Sequence, residues 1–262
     1  MPRRLRIADG GLVYHVLNRA VGRGRIFEDA DDYLAMERVI ERTWTLLPLR
    51  IISYCLMPNH WHWVLWPKDD GQLSQFMRLL TVTHTQRWHA HHHSAGTGPL
   101  YQGRFKSFPI QADEHFLTVC RYVERNALRA KLVESAQDWP WSSLAKRIGP
   151  EPPPWLLPMA KWPVDAPANW LQWVNRAQTA AELQALRTCV KRSRPYGTPR
   201  WQERAARRLA LESTLRPRGR PRVRPIKDSR PNTVRPDICI VTRGGAADAK
   251  HRQIHRSPIG SC

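Results

Sequence analysis

Negative charge is scarce in this chain: 22 acidic residues stand against 42 lysines and arginines, leaving a formal charge of +20 over 262 residues. Such an imbalance favours a polyanionic partner, nucleic acid above all. An anionic membrane is the rival partner, but no lysine-rich amphipathic helix is present. The excess is mainly arginine, which suits bidentate phosphate and base contacts better than lysine does. Cysteine is also sparse and unpaired in pattern. Cys55, Cys120, Cys189, Cys239 and Cys262 include no C-x-x-C pair, which excludes a zinc ribbon and a disulfide framework. No apolar run reaches 18 residues, and the start "MPRRLRIADGGLVYHVL" lacks the apolar core of a signal peptide. The expected setting is a reducing cytoplasm, with no membrane partner.

What the chain does contain is enough apolar material for a core, twelve tryptophans included. Residues 12–18, "LVYHVLN", read as a strand, and a helix follows from about Asp31 with apolar Leu34, Val39 and Ile40 among charges. "LRIISYCLM" and "HWHWVLW" are two β-rich runs separated by the turn-prone "PN", which predicts antiparallel pairing. A second helix spans about Leu73 to Ala90, with Phe76, Leu79, Leu80 and Thr83 at helical spacing. "LYQGRFKSFPI" reads as a further strand. A third helix starts after Asp113 as N-cap and carries Phe116, Val119, Cys120, Val123 and Ala127 on one apolar stripe. Strands and helices mix without a regular βαβ repeat. The expected class is therefore α+β, an antiparallel sheet with helices packed on it.

Domain limits follow composition. Residues 1–146 read as the compact part, and 147–178 as a linker that opens with the proline-rich "PEPPPWLLP". Residues 179–225 read as a basic helical region, where Thr179 and Glu182 form a capping box and Thr198–Pro199 start another helix. Nine arginines and two glutamates fall between Arg200 and Arg224, and residues 226–262 read as a disordered tail.

The stretch "CLMPNHWHWVLWP" is apolar enough to be buried, yet it carries His60 and His62 two positions apart. Side chains at i and i+2 of a strand share a face. Two such imidazoles make a partial metal site with room for a third ligand, water or a substrate oxygen. The plain alternative is one hydrogen-bonded strand histidine beside a surface one. In "FLTVCRYVERNALRAKLV", Tyr122 and Asn126 are four apart and share a helix face flanked by Arg125 and Arg129. Asparagine is a mediocre helix-interior residue, so its position there asks for a reason. The histidine-rich "HTQRWHAHHH" reads as solvated surface, without a metal.

Taken together, "MPNHWHWVLWP", "TGPLYQGRFKSF", "CRYVERNALRAKLV" and "DWPWSS" resemble the REP-associated tyrosine transposases, single-tyrosine members of the HUH endonuclease group. The resemblance covers roughly residues 3–225. It implies a ferredoxin-like or RRM-like sheet, and His60 and His62 as ligands of Mg²⁺ or Mn²⁺. It further implies Tyr122 as nucleophile and Asn126 as third protein ligand. Many relatives have proline after this asparagine; here Ala127 follows and leaves the helix free to continue. The implied activity is cleavage and rejoining of single-stranded, hairpin-forming repeats through a 5′-phosphotyrosine, in a nucleoid-associated protein, with a homodimer left open.

For DNA, Arg104 and Lys106 are expected on phosphates, together with Arg125, Arg129, Arg200, Arg204 and Arg207. Tyr101, Phe105 and Phe108 read either as base-stacking surfaces or as inward-facing strand residues. Arg218-Gly-Arg220-Pro matches the core of an AT-hook, or is a basic segment held by counterion release alone. Two other functions fit the same composition: a non-catalytic DNA-binding regulator, and a metal-dependent hydrolase with water as attacker.

Overall fold

A computed structural model describes residues 8–216. Strand β1 (Val13–Arg19), helix α1 (Ala30–Leu46), strands β2 (Arg50–Met57) and β3 (His60–Trp66), helix α2 (Gln72–His91) and strand β4 (Lys106–Ile110) follow in that order. The sheet order is β2-β3-β1-β4 and every pairing is antiparallel. This is the β-α-β-β-α-β arrangement of the ferredoxin-like fold. The α+β expectation holds, and so does the β2–β3 hairpin through Pro58–Asn59.

Both faces of the sheet are covered. Tyr14, Val16, Tyr54, Leu56, Trp61 and Trp63 face α1 and α2, whose buried stripes include Met36, Val39, Ile40, Phe76, Met77 and Leu80. Leu34, expected with the apolar positions of α1, is 40% exposed, and Tyr33 takes the inward place. Val13, Cys55, Met57, Val64, Phe108 and Ile110 point the other way. There they meet α3 (Glu114–Glu124), which carries Phe116, Val119, Cys120 and Val123. Asp113 caps α3, its carboxylate accepting from the His115 amide at 2.8 Å. A strand buried on both faces loses its polar alternation. That is why β3 looks uniformly apolar in sequence apart from its histidines.

The expected third helix is divided. It ends at Arg125 (φ −83°, ψ 3°) and resumes as α4 (Asn126–Arg129). Its anchor is Glu124, which is fully buried. The carboxylate accepts from Ser53 at 3.2 Å, Ser143 at 2.7 Å and the Trp170 indole at 2.8 Å, with Arg147 at 4.0 Å. Glu124→Ala should cost about 3–5 kcal/mol, because it strands a buried guanidinium and three donors. Urea unfolding measures this, and a cost below ~1 kcal/mol would mean that the network adds little.

Residues 147–178 are not a free spacer. They run from the last turn of α5 (Ser143–Ile148) through α6 (Trp170–Asn175), and they bury Trp155 and Leu156 on one face of the sheet and Trp162, Trp170 and Val174 on the other. The Leu157 amide donates to the Ile51 carbonyl at 2.8 Å, covering edge strand β2. Past α7 (Ala180–Arg192), Tyr196 does the same for edge strand β4, its amide donating to Pro109 at 2.9 Å. Proline suits this service, since an edge-covering segment needs few amide donors of its own. The capping box of Thr179 and Glu182 and the Thr198 cap of α8 (Pro199–Arg208) form as the sequence predicts. Among the described residues no helix is long and apolar enough to cross a membrane.

Candidate active site

His60 and His62 occupy the sheet face that meets α3. Opposite them in β1 stand Arg19 and Leu17. Both rings, Tyr122, Asn126 and Arg129 line one cleft of about 500 Å³. The Tyr122 ring stands edge-on to His62, with centroids 5.8 Å apart and planes at 88°. Its hydroxyl makes no hydrogen bond with any described residue, so the phenol is held by its ring alone.

Each imidazole is fixed through its far nitrogen. Asn59 Nδ2 donates to the Arg23 carbonyl at 3.3 Å, which turns Oδ1 toward His60 Nδ1 at 2.6 Å. An amide oxygen only accepts, so His60 carries its proton on Nδ1 and leaves the Nε2 lone pair free. His62 Nδ1 lies 2.9 Å from Nε2 of His15, a fully buried residue of β1. If His62 Nδ1 donates to His15, the Nε2 lone pair of His62 is also free. A metal-binding histidine needs this kind of outer partner. The donor set therefore fits a divalent ion: two neutral imidazoles on one rigid strand, with an amide nearby.

Burial keeps the rings neutral. It lowers His15 to about 3 and His60 to about 4, helped in each case by Arg129 and, for His60, first by Arg19. His62 is pushed well below the ordinary imidazole range by burial, then by His15, His60 and the two arginines. His84, in α2, is lowered to about 4 by burial. The unfolded chain protonates these rings below pH ~6.5 and so binds more protons than the fold between about 6.5 and 4. Stability should therefore fall as pH drops through that window, by about 1.4 kcal/mol per unit for each ring. Melting temperature in chelator-containing buffer should change little between pH 7 and 8 and drop steeply from 6.5 to 4.5. A flat profile down to 4.5 would mean that the rings are not held neutral.

Arg129 organises the tyrosine side of the cleft. Its guanidinium sits 4.0 Å over the Tyr122 ring, and donates to the Tyr122 carbonyl at 3.1 Å and to Asn126 Oδ1 at 2.6 Å. One lone pair of that amide oxygen is thus taken, while Asn126 Nδ2 is buried without a partner. A third-ligand role for Asn126 would use the remaining lone pair or a turned amide.

Arg104 and Lys106 line the same cleft, joined by Arg19, Gln102 and Arg187, for which no role was expected. Arg125 does not; its Nε is directed at the Asn175 carbonyl, 3.5 Å away. Arg200, Arg204 and Arg207 are exposed on α8 and do not line the cleft. Arg218 and Arg220 lie outside the described residues, as does the tail from 226. Tyr101, Phe105 and Phe108 are buried rather than presented to bases: the Tyr101 hydroxyl accepts from the Trp61 indole at 3.0 Å and meets His84 at 2.7 Å. His15 and Asn59 were missed because neither belongs to a recurring spacing. The only sequence signal was a histidine inside the buried-strand pattern "LVYHVLN".

Residues 10–126 match the family model described as IS200-like transposase. Among solved structures, the chain is similar to a REP-associated tyrosine transposase bound to a REP hairpin, at 19% identity over 60% of this chain and 91% of that one, TM-score 0.47. A candidate transposase from Deinococcus radiodurans matches at 14% identity over 50% of this chain and 90% of that one, TM-score 0.33. No curated protein is similar to the chain.

Proposed function

We propose, from the premise that residues 10–126 match the IS200-like transposase family, that this protein cleaves and rejoins single-stranded DNA through a tyrosine–phosphate bond. The observation that carries the reading is the convergence of Tyr122 with His60 and His62 on one basic cleft. A divalent ion, Mg²⁺ or Mn²⁺, held by His60 and His62 with Asn126 as third protein ligand, would neutralise a non-bridging phosphate oxygen. The Tyr122 oxygen attacks phosphorus and loses its proton; the 3′ oxygen leaves and takes one. The products are a 5′-phosphotyrosine and a free 3′-hydroxyl. Arg129, fixed over the Tyr122 ring, orients the phenol and adds positive charge where the phosphate sits. Arg104, Lys106, Arg19 and Arg187 hold the flanking strand. Because the phosphotyrosine retains the diester's bond energy, a second 3′-hydroxyl can displace the phenol without an external energy source. Hairpin-forming repeats are the substrate class that the family resemblance of the four sequence motifs implies, and Arg200, Arg204 and Arg207 on α8 offer a separate basic surface for duplex phosphates.

The test is incubation of the full chain with labelled single-stranded repeat DNA and Mg²⁺ or Mn²⁺. A protein–DNA adduct that survives boiling in detergent is expected. Cut DNA without adduct would favour water as attacker, and binding without cutting on every repeat substrate would favour a regulator. His15 supplies a finer check. His15→Ala removes the group that orients His62, and should weaken metal binding about 10–100-fold while leaving DNA retention in chelator unchanged. Equal loss of both would assign His15 to folding.

A further inference from the structure

The histidine-rich end of α2 is not simply solvated surface. Its His92 ring stacks on Trp88 with centroids 4.2 Å apart, and places Nε2 2.9 Å from Oδ1 of Asp32 in α1. Asp32 is 4% exposed, and its other oxygen accepts from the Glu28 amide at 2.9 Å. His91, exposed beside them, brings a third ligand atom: one from each of Asp32, His91 and His92 lie within 4.8 Å of one another. α1 and α2 cover the sheet face opposite the cleft, so this cluster is separate from His60 and His62.

We propose that Asp32, His91 and His92 form a second cation site, for zinc or a similar borderline transition ion, tying the start of α1 to the end of α2. Two imidazole nitrogens and one carboxylate oxygen are a zinc-type donor set, and an exposed fourth position is left for water. Ligands of a tetrahedral zinc site lie about 3.3 Å apart, given metal–ligand bonds of ~2.0–2.1 Å. Asp32 and His92 already stand close to that spacing, the carboxylate held by a backbone amide and the imidazole by an indole. Only His91 has to swing in, from the solvent side, which is also the path of entry. A plain Asp32–His92 hydrogen bond explains the pair and leaves the third donor unused. The consequence for the molecule is mechanical. From this end of α2 the chain runs on to Gln102, Gly103 and Arg104 in the wall of the cleft, so an ion here stiffens the base of that segment.

Equilibrium dialysis of the full chain with Zn²⁺ alone tests this, in a His60→Ala/His62→Ala background that removes the other donor pair. One equivalent of zinc should remain bound, and Co²⁺ should give the intense visible absorption of a tetrahedral site. Loss of an outer partner alone costs a metal site about 10–100-fold, so His91→Ala should weaken zinc at least tenfold. His91 is exposed, so this variant folds. Asp32→Asn should weaken it further, and His89→Ala/His93→Ala should leave it unchanged. Zinc should raise the melting temperature of the background protein and not that of its His91→Ala derivative. The proposal is overturned if the background binds no zinc, if His91→Ala leaves affinity and thermal shift intact, or if His89→Ala/His93→Ala abolishes them.

Discussion

Tyr122→Phe protein is expected to bind single-stranded DNA as tightly as the parent and to form no covalent adduct with it. Phenylalanine keeps the ring that Arg129 covers and that stands edge-on to His62 and His15. The lost hydroxyl has no hydrogen-bond partner among the described residues, so stability should move by no more than ~0.5 kcal/mol. The chemistry has no such latitude. Removing a covalent nucleophile elsewhere costs up to about 10⁶ in kcat, and here no other hydroxyl among the described residues lines the cleft to replace it. Adduct yield should fall at least a thousandfold, to background. Persistence of the adduct in the phenylalanine protein would sink the assignment, and peptide mapping of the labelled chain would then identify the true nucleophile.

His60→Ala should abolish metal-dependent cleavage while sparing DNA retention measured in chelator. His60 is the better probe of the pair, because it is only partly buried, whereas His62 is 5% exposed and tied to His15. Losing a Lewis acid worth several kcal/mol removes about 10²–10⁴ of rate. Retention should survive because Arg19, Arg104, Lys106 and Arg129 remain in the cleft wall. Rate that falls equally in Mg²⁺ and in chelator would show that the pair has another task. Retention that falls together with rate would point to a collapsed cleft instead.

The element pattern was largely open to reading along the chain. Periods of two and of 3.6, the caps at Asp113, Thr179 and Thr198, and the Pro58–Asn59 turn are local matters, settled within a few residues. So was the pairing of His60 with His62 on one strand face; Tyr122 and Asn126, read onto one helix face, fall instead in α3 and α4 and share the cleft. Arg125 shows where this stops: beside Asn126 in sequence it looks as available as Arg129, yet α3 turns it onto the last turn of α6.

By itself, then, the chain order determined the antiparallel α+β class, the strand with its two imidazoles and the helix with its phenol, because backbone periodicity is a short-range property. Only the tertiary structure decided that strand and helix meet, that His15 and Asn59 turn the two rings, and that Arg19 and Arg187 join the cleft. It also decided that residues 147–178 cover a sheet edge and that Asp32 reaches His92. All but the Asn59–His60 contact join residues far apart in sequence, and Asn59 itself is set by the Arg23 carbonyl, 36 positions away. Such contacts are fixed by which surfaces must be buried together, and no local pattern records that.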